Sequence, residues 1–210
     1  YLNTGLEGGS AEATFMFGRD GDTPVVGDWN GDGKDTLAVR RGSVFYFTDR
    51  LAGGKATNNE VTVEKSIAGA VLGGQSAGDA TGNRVFINAN SGAVTGGKAV
   101  GEASGNIVTV GSVTVSSITG GAGATTKDNT VNINGTTVTD KIVGGTQADG
   151  TGNVLNIRGE NSAQSVEGFQ KMNFNTNSVA TGGTMLNVTG TGETNVNWAE
   201  LSATGTAVKP

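Results

Sequence analysis

Through most of the second half of the chain, apolar and polar residues alternate with a period of two, in runs of four or five residues. The runs are Asn83-Arg-Val85-Phe-Ile87, Asn106-Ile-Val108-Thr-Val110, Asn129-Thr-Val131-Asn-Ile133 and Asn153-Val-Leu155-Asn-Ile157. A period of two predicts strands, each with one inward and one outward face. A second alternation follows in most units, as at Val113-Thr-Val115 and then Ile118, and each unit closes on Gly and small residues suited to tight or positive-φ turns. No stretch carries an i, i+3, i+4, i+7 stripe of useful length, so no helix is predicted.

These runs belong to a repeat. Asn83, Asn106, Asn129 and Asn153 keep step, and Val94, Ile118, Ile142 and Val166 recur at a constant spacing of 24 residues. Self-similarity at such a period marks a solenoid. Two or three short strands with their turns fit one coil of a parallel β-helix, with rungs about 4.8 Å apart, so that four to six rungs make a rod roughly 20–30 Å long. The Asn column shares the parity of the inward aliphatics, so its side chains stack inside a turn and satisfy one another along the rod. That makes them turn-holding groups, with ligand binding as the alternative role. One coil breaks step: Phe169-Gln-Lys-Met-Asn-Phe-Asn-Thr-Asn-Ser intervenes, and Leu186 stands thirty-one residues after Leu155, which reads as an insertion.

The pattern GG-x-A-x-G-x-x-GN-x-V-x-I, repeated over residues 66–210, resembles the repeats of bacterial autotransporter passenger domains. The resemblance implies a right-handed parallel β-helix displayed at a bacterial surface and serving adhesion. The strong handedness preference of parallel crossovers points the same way.

Residues 1–60 lie outside the 24-residue repeat. Short runs at Thr14–Phe17, Pro24–Val26, Leu37–Arg40 and Val44–Phe47, separated by Gly and Asp turns, predict a small antiparallel β module. Tyr1-Leu-Asn-Thr-Gly-Leu-Glu-Gly-Gly-Ser-Ala is echoed forty-five residues later from Tyr46. With Gly27-Asp-Trp-Asn-Gly-Asp-Gly-Lys-Asp-Thr36 between the copies, about residues 1–56 resemble the FG-GAP/VCBS-like repeats of secreted bacterial proteins. A single such unit has unpaired edges, so it is expected to be truncated, to cap the first coil, or to mark a junction of two proteins. The chain opens mid-pattern at Tyr1, which reads as a mature segment or a fragment.

The loop offers the one metal-type motif. Asp28, Asn30 and Asp32 place oxygens at positions one, three and five, Gly33 supplies the sharp turn at six, and Lys34 offers a carbonyl at seven. That is the donor order of a calcium loop, although Thr36 occupies position nine and Asp35 comes one place early. The expectation is a structural calcium ion, against an Asp/Gly-rich turn without metal. In the solenoid, Asp79, Glu102 and Asp149 each precede their Asn by four residues, with Thr125 interrupting the column. Stacked carboxylates repel unless screened, so a solvated turn is expected, with a weak cation or sugar strip as the alternative.

Composition narrows the chemistry. With neither Cys nor His in the 210 residues, disulfides, thiolate zinc sites, imidazole ligands and Ser-His-Asp triads are ruled out. The net charge of −5 disfavours a nucleic-acid surface, and no run of apolar residues is long enough to span a bilayer. Thirty-seven Gly and only two Pro suit continuous ladders in which every N–H is needed. A β-helix polysaccharide lyase or glycosidase needs carboxylates facing each other, or carboxylates beside a basic group. Arg84 and Arg158 lie three coils apart and neither adjoins the acidic column. Asn134-Gly-Thr136 and Asn187-Val-Thr189 match glycosylation sequons by chance in so Asn- and Thr-rich a chain.

The expected function is therefore that of a non-enzymatic, secreted or surface-displayed adhesin or stalk, binding glycans or surface proteins along a polar face. A wall-targeting or spacer module of a larger secreted hydrolase is the first alternative, and a polysaccharide-degrading enzyme the second. A rod with exposed end coils would also self-associate unless capped.

Overall fold

The computed structural model describes residues 18–27, 36–42, 44–47, 55–146, 150–191 and 200–205. The fold is all β: a small antiparallel sheet, then a parallel β-solenoid of about five turns with about 24 residues per turn. The antiparallel sheet orders Thr23–Gly27, Thr36–Arg41 and Val44–Phe47 in sequence, and its strands fall where the alternation predicted them. Thr14–Phe17 lies outside the described residues. Next to the first strand, Asp22 accepts from Arg41 through two hydrogen bonds of 2.6 Å and from the Arg19 backbone N–H at 2.9 Å. The guanidinium, foremost, holds the Asp22 pKa at about 2. Because that value is depressed, the stabilisation is complete above the ordinary carboxylate pKa and is lost as pH falls through about 2. Arg41 also lies over the Tyr46 ring, 4.6 Å from its centroid.

Every strand pair of the solenoid is parallel. A short sheet stacks Ala56–Thr57, Ala80–Thr81, Glu102–Ser104 and Thr125–Lys127. A long sheet of seven strands runs from Glu60–Val63 through Arg84–Ile87, Ile107–Val110, Thr130–Asn134, Val154–Arg158 and Lys171–Asn175 to Glu200–Thr204. A glycine-rich sheet stacks Val71–Ser76, Val94–Ala99, Ile118–Ala122, Lys141–Gly145 and Ser165–Glu167. A fourth sheet stacks Thr114–Val115, Thr137–Val138, Asn161–Ala163 and Leu186–Val188. Like residues stack on like inside. Val85, Val108, Val131 and Leu155 form one buried column of the long sheet, and Ile87, Val110, Ile133 and Ile157 form the next. Val71, Val94, Ile118, Ile142 and Val166 face them from the glycine-rich sheet.

Parallel stacking starts at Ala56 and Glu60, ahead of residue 66 and within the stretch assigned to the 1–60 module. The first coil is the run Asn59-Glu-Val61-Thr-Val63, in step with the rest. It escaped the repeat because only six residues separate Gly53 from Asn59, against ten from Gly73 to Asn83 and nine from Gly120 to Asn129.

The Leu186 reading is corrected. Leu155 stacks on Met172, seventeen residues on, whereas Val131 to Leu155 spans twenty-four; Leu186 pairs with Asn161 in a different sheet. The break is thus a shortening before Met172 followed by an insertion after it: Phe174 to Leu186 spans twelve residues, with the 3-10 turn Thr176–Ser178 among them, where Ile157 to Asn161 spans four. After Ser165–Glu167 the chain turns through Gly168 at φ +67 and passes through Phe169 and Gln170 directly to Lys171, with no short-sheet strand. The Phe169 ring, 1% exposed, fills the interior that earlier coils fill with their Asn turn.

The paired glycines act differently from the expectation that they form turns. Gly-Gly pairs at 73–74, 96–97, 120–121 and 144–145 lie buried within strands of the glycine-rich sheet. A Cβ on Gly74, Gly97 or Gly121 would come within 2.6–2.8 Å of the side-chain amide of Asn83, Asn106 or Asn129 respectively. A Cβ on Gly96 or Gly120 would meet the carbonyl oxygen of Gly120 or Gly144 in the next coil at 2.5 or 2.6 Å. The left-handed turn is set one residue before each Asn, at Asn58, Gly82, Gly105, Asp128 and Gly152, with φ between 55° and 68°.

Substituting Gly121→Ala is therefore expected to displace the Asn129 amide and to cost about 2–3 kcal/mol in chemical denaturation. An unchanged midpoint would contradict this role for the pair.

Candidate functional site

The predicted inward Asn column is an amide ladder, and it has five members rather than four: Asn59, Asn83, Asn106, Asn129 and Asn153, none more than 1% exposed. From Asn83 onward each Oδ1 accepts twice from the coil before it. Asn106 Oδ1 takes the Asn83 backbone N–H at 3.1 Å and its Nδ2 at 2.8 Å, and Asn129 Oδ1 takes the same pair from Asn106 at 3.1 and 2.9 Å. The second Nδ2 hydrogen goes back to an alanine carbonyl, from Asn83 to Ala56, Asn106 to Ala80 and Asn129 to Ala103, at 3.0–3.1 Å. The three middle amides thus use both donors and both acceptor sites. At the shortened coil, Gln170 Oε1 substitutes for the next Asn and accepts the Asn153 N–H at 2.9 Å. The ladder ends show its direction: Asn59 Oδ1 and Asn153 Nδ2 are buried without a partner.

The acidic column is neutralised by lysine. Asp79 and Glu102 stand one rung apart, with Lys55 at 3.0 Å from Asp79 and Lys127 at 2.8 Å from Glu102. Asp79 also accepts the Glu102 backbone N–H at 3.0 Å, the leading cause of its lowered pKa, with Lys55 second. Lys127, with Ser104 after it, lowers the Glu102 pKa, while Glu102 raises that of Lys127. Both acids therefore remain carboxylates at neutral pH. The screening anticipated from water or a cation comes from two side chains of the chain itself, and Thr125 stacks next in the column. Asp149 lies outside the described residues.

Arg84 and Arg158 lie on the long sheet, stacked on Ile107 and Asn134 respectively, while Asp79 and Glu102 belong to the short-sheet side. The fold does not bring these groups together. The calcium-type residues Asp28, Asn30, Asp32, Lys34 and Asp35 lie outside the described residues, but Gly27 pairs with Thr36 and closes the base of their loop. Among the described residues no three His, Cys, Asp or Glu side chains cluster as metal ligands would, and no helix is long and apolar enough to cross a membrane.

A second ladder, on the outside, escaped the sequence reading. Outward residues of the long sheet stack as Thr62, Phe86, Thr109, Asn132, Asn156, Asn173 and Ser202. Asn132 Nδ2 donates to Thr109 Oγ1 at 3.0 Å, Asn156 Nδ2 to Asn132 Oδ1 at 2.8 Å and Asn173 Nδ2 to Asn156 Oδ1 at 2.7 Å. Ser202 Oγ completes the row by donating to Asn173. The signal was present in Val131-Asn-Ile133, Leu155-Asn-Ile157 and Met172-Asn-Phe174, where Asn takes the outward place between inward apolar residues. Two surface hollows flank the first coils, one bordered by Phe45, Val61, Val63, Ile67 and Val71 and the other by Ser66, Asn90 and Thr114.

Comparison with protein-family models, curated proteins and solved structures finds no match.

The two ladders differ in what they do for stability. Asn106→Ala strips acceptors from two Asn83 donors and a donor from the Ala80 carbonyl, so about 3–5 kcal/mol should be lost. Asn132→Ala on the exposed ladder should cost less than about 1 kcal/mol. Equal losses in chemical denaturation would refute the distinction.

Proposed function

We propose that this chain is a non-enzymatic display module: a secreted or surface-exposed stalk that attaches to glycans or surface proteins through many weak contacts along one polar solenoid face. The observation that carries this reading is the outward ladder from Thr109 to Ser202, a fixed row of hydrogen-bonding groups on a rigid sheet. Two findings support it. The carboxylates best placed to act as acid and base, Asp79 and Glu102, are each occupied by a lysine and stacked rather than opposed. The repeats also resemble those of surface-displayed passenger domains, which favours an extracellular setting.

The Asp28–Asp35 loop belongs to this proposal as a structural calcium site. Asp28, Asn30, Asp32, Asp35 and the Lys34 carbonyl would hold the ion and stiffen the hairpin whose base Gly27 and Thr36 close.

The test is an incubation of the purified chain with bacterial walls, epithelial cells and insoluble polysaccharides, scoring retained protein and released sugar, with calcium or with chelator. Retention without release is expected, weaker in chelator if the loop shapes the module. Release of sugar would replace the display reading with an enzymatic one, and absence of both signals would contradict attachment.

A further inference from the structure

We propose that the outward face of the long sheet between Phe86 and Ser202 is the binding strip, and that its ligand is an extended, uncharged polysaccharide. The inference rests on the display reading above and deepens it.

The strip is preorganised. In the chain of bonds from Thr109 to Ser202, Asn132 and Asn156 each commit one N–H and one Oδ1 lone pair to a neighbour. An amide has two of each, so a donor and an acceptor are left over at each of these positions, with their orientation fixed by the ladder. A sugar hydroxyl both donates and accepts, and a pair of adjacent hydroxyls complements an amide with one free donor and one free acceptor. Because the amides are already immobilised against one another, little further side-chain freedom is lost on binding. The row repeats every rung, about 4.8 Å, so a polymer laid along the rod meets the same chemistry several times.

Charge selects among polysaccharides. In the two outward columns between Arg84 and Lys171, the residues are Ile107, Thr109, Thr130, Asn132, Val154 and Asn156, none of them charged. The charges at the ends come in opposite pairs, Glu60 stacked on Arg84 and Lys171 at 3.6 Å from Glu200, while Arg158 stands at the margin. An anionic uronate or sulfated polymer finds no row of cations here. The half-exposed Phe86, Ile107 and Val154 instead offer apolar patches to the C–H faces of sugar rings.

Size points away from a second copy of the chain. Five rung steps from Phe86 to Ser202 give a length of about 24 Å, and two columns about 7 Å apart give a strip of a few hundred Å². A stable protein interface needs about 800 Å² per partner. A single polysaccharide chain is narrow enough to lie within such a strip.

The test is affinity electrophoresis of the full chain in native gels cast with hydroxyethyl cellulose, galactomannan, yeast mannan or dextran, and in parallel with polygalacturonate. At least one neutral polymer should slow migration, with little sensitivity to salt. Asn132→Val with Asn156→Val, and separately Phe86→Ser, should each weaken that association about tenfold or more. Thr95→Val with Thr119→Val, on the outward side of the glycine-rich sheet, should change it less than about twofold. Melting temperatures check that the variants fold, and the Phe86 variant keeps the test valid if the double Asn variant does not. Retardation by polygalacturonate alone, retardation by no neutral polymer, or retardation insensitive to these positions would overturn the strip. A chain that attaches to walls or cells yet ignores every neutral polymer loses this site and keeps the display reading. A chain that attaches to nothing loses both.

Discussion

A carboxamide buried once per coil, and satisfied only by the coils on either side, is the constraint around which the solenoid is arranged. An Asn side chain taken out of water without partners costs several kcal/mol, so the fold tolerates the column only where rungs repeat in register. Three features follow. A left-handed residue precedes each Asn and aims its side chain inward, as at Gly82, Gly105 and Asp128. A glycine stands opposite the amides of Asn83, Asn106, Asn129 and Asn153, because a Cβ at Gly74, Gly97, Gly121 or Gly145 would occupy the same space. Where the coil shortens, Gln170 reaches in to accept the bond that the next Asn would have taken, and Phe169 fills the vacated interior. The aliphatic columns supply the burial, and the amides set the register.

Much of this was legible in the chain. The period of two in Asn106-Ile-Val108-Thr-Val110 identified strand and inward face together, and the constant spacing from Val94 to Val166 identified the coil. Identical parity placed the Asn side chains inside. The glycines were harder, because sequence alone does not distinguish a glycine needed for its positive φ from one needed for its missing Cβ. Gly82 is the first kind and Gly97 the second. The first coil was hidden because its Asn59 follows the preceding Gly-Gly pair by fewer residues than in the later units. Leu186 is an aliphatic residue of the right parity, but Met172 closes that coil early and the residues added after Phe174 carry Leu186 into a different sheet.

The candidate site was legible in part. Stacking of Asp79 and Glu102 followed from the repeat, but their neutralisation depended on Lys55 and Lys127, which reach across from neighbouring coils and share no periodic position. The outward amides could have been read from Val131-Asn-Ile133 and its successors. They matter only as a row, and the row is made by register that holds through the shortened coil, from Asn156 to Asn173 in seventeen residues. Rigidity inside and an ordered polar strip outside are thus two consequences of one stacking rule. The inner ladder fixes the rungs, and the fixed rungs align the outer one.

The most direct test of this account is hydrogen exchange at the Asn side-chain amides, followed by NMR on labelled protein. The Nδ2 protons of Asn83, Asn106 and Asn129 should exchange only on opening of the rod, orders of magnitude more slowly than those of the exposed Asn88 and Asn90. Exchange of all five at similar, solvent-limited rates would mean that the column is not closed to water and does not hold the coils in register.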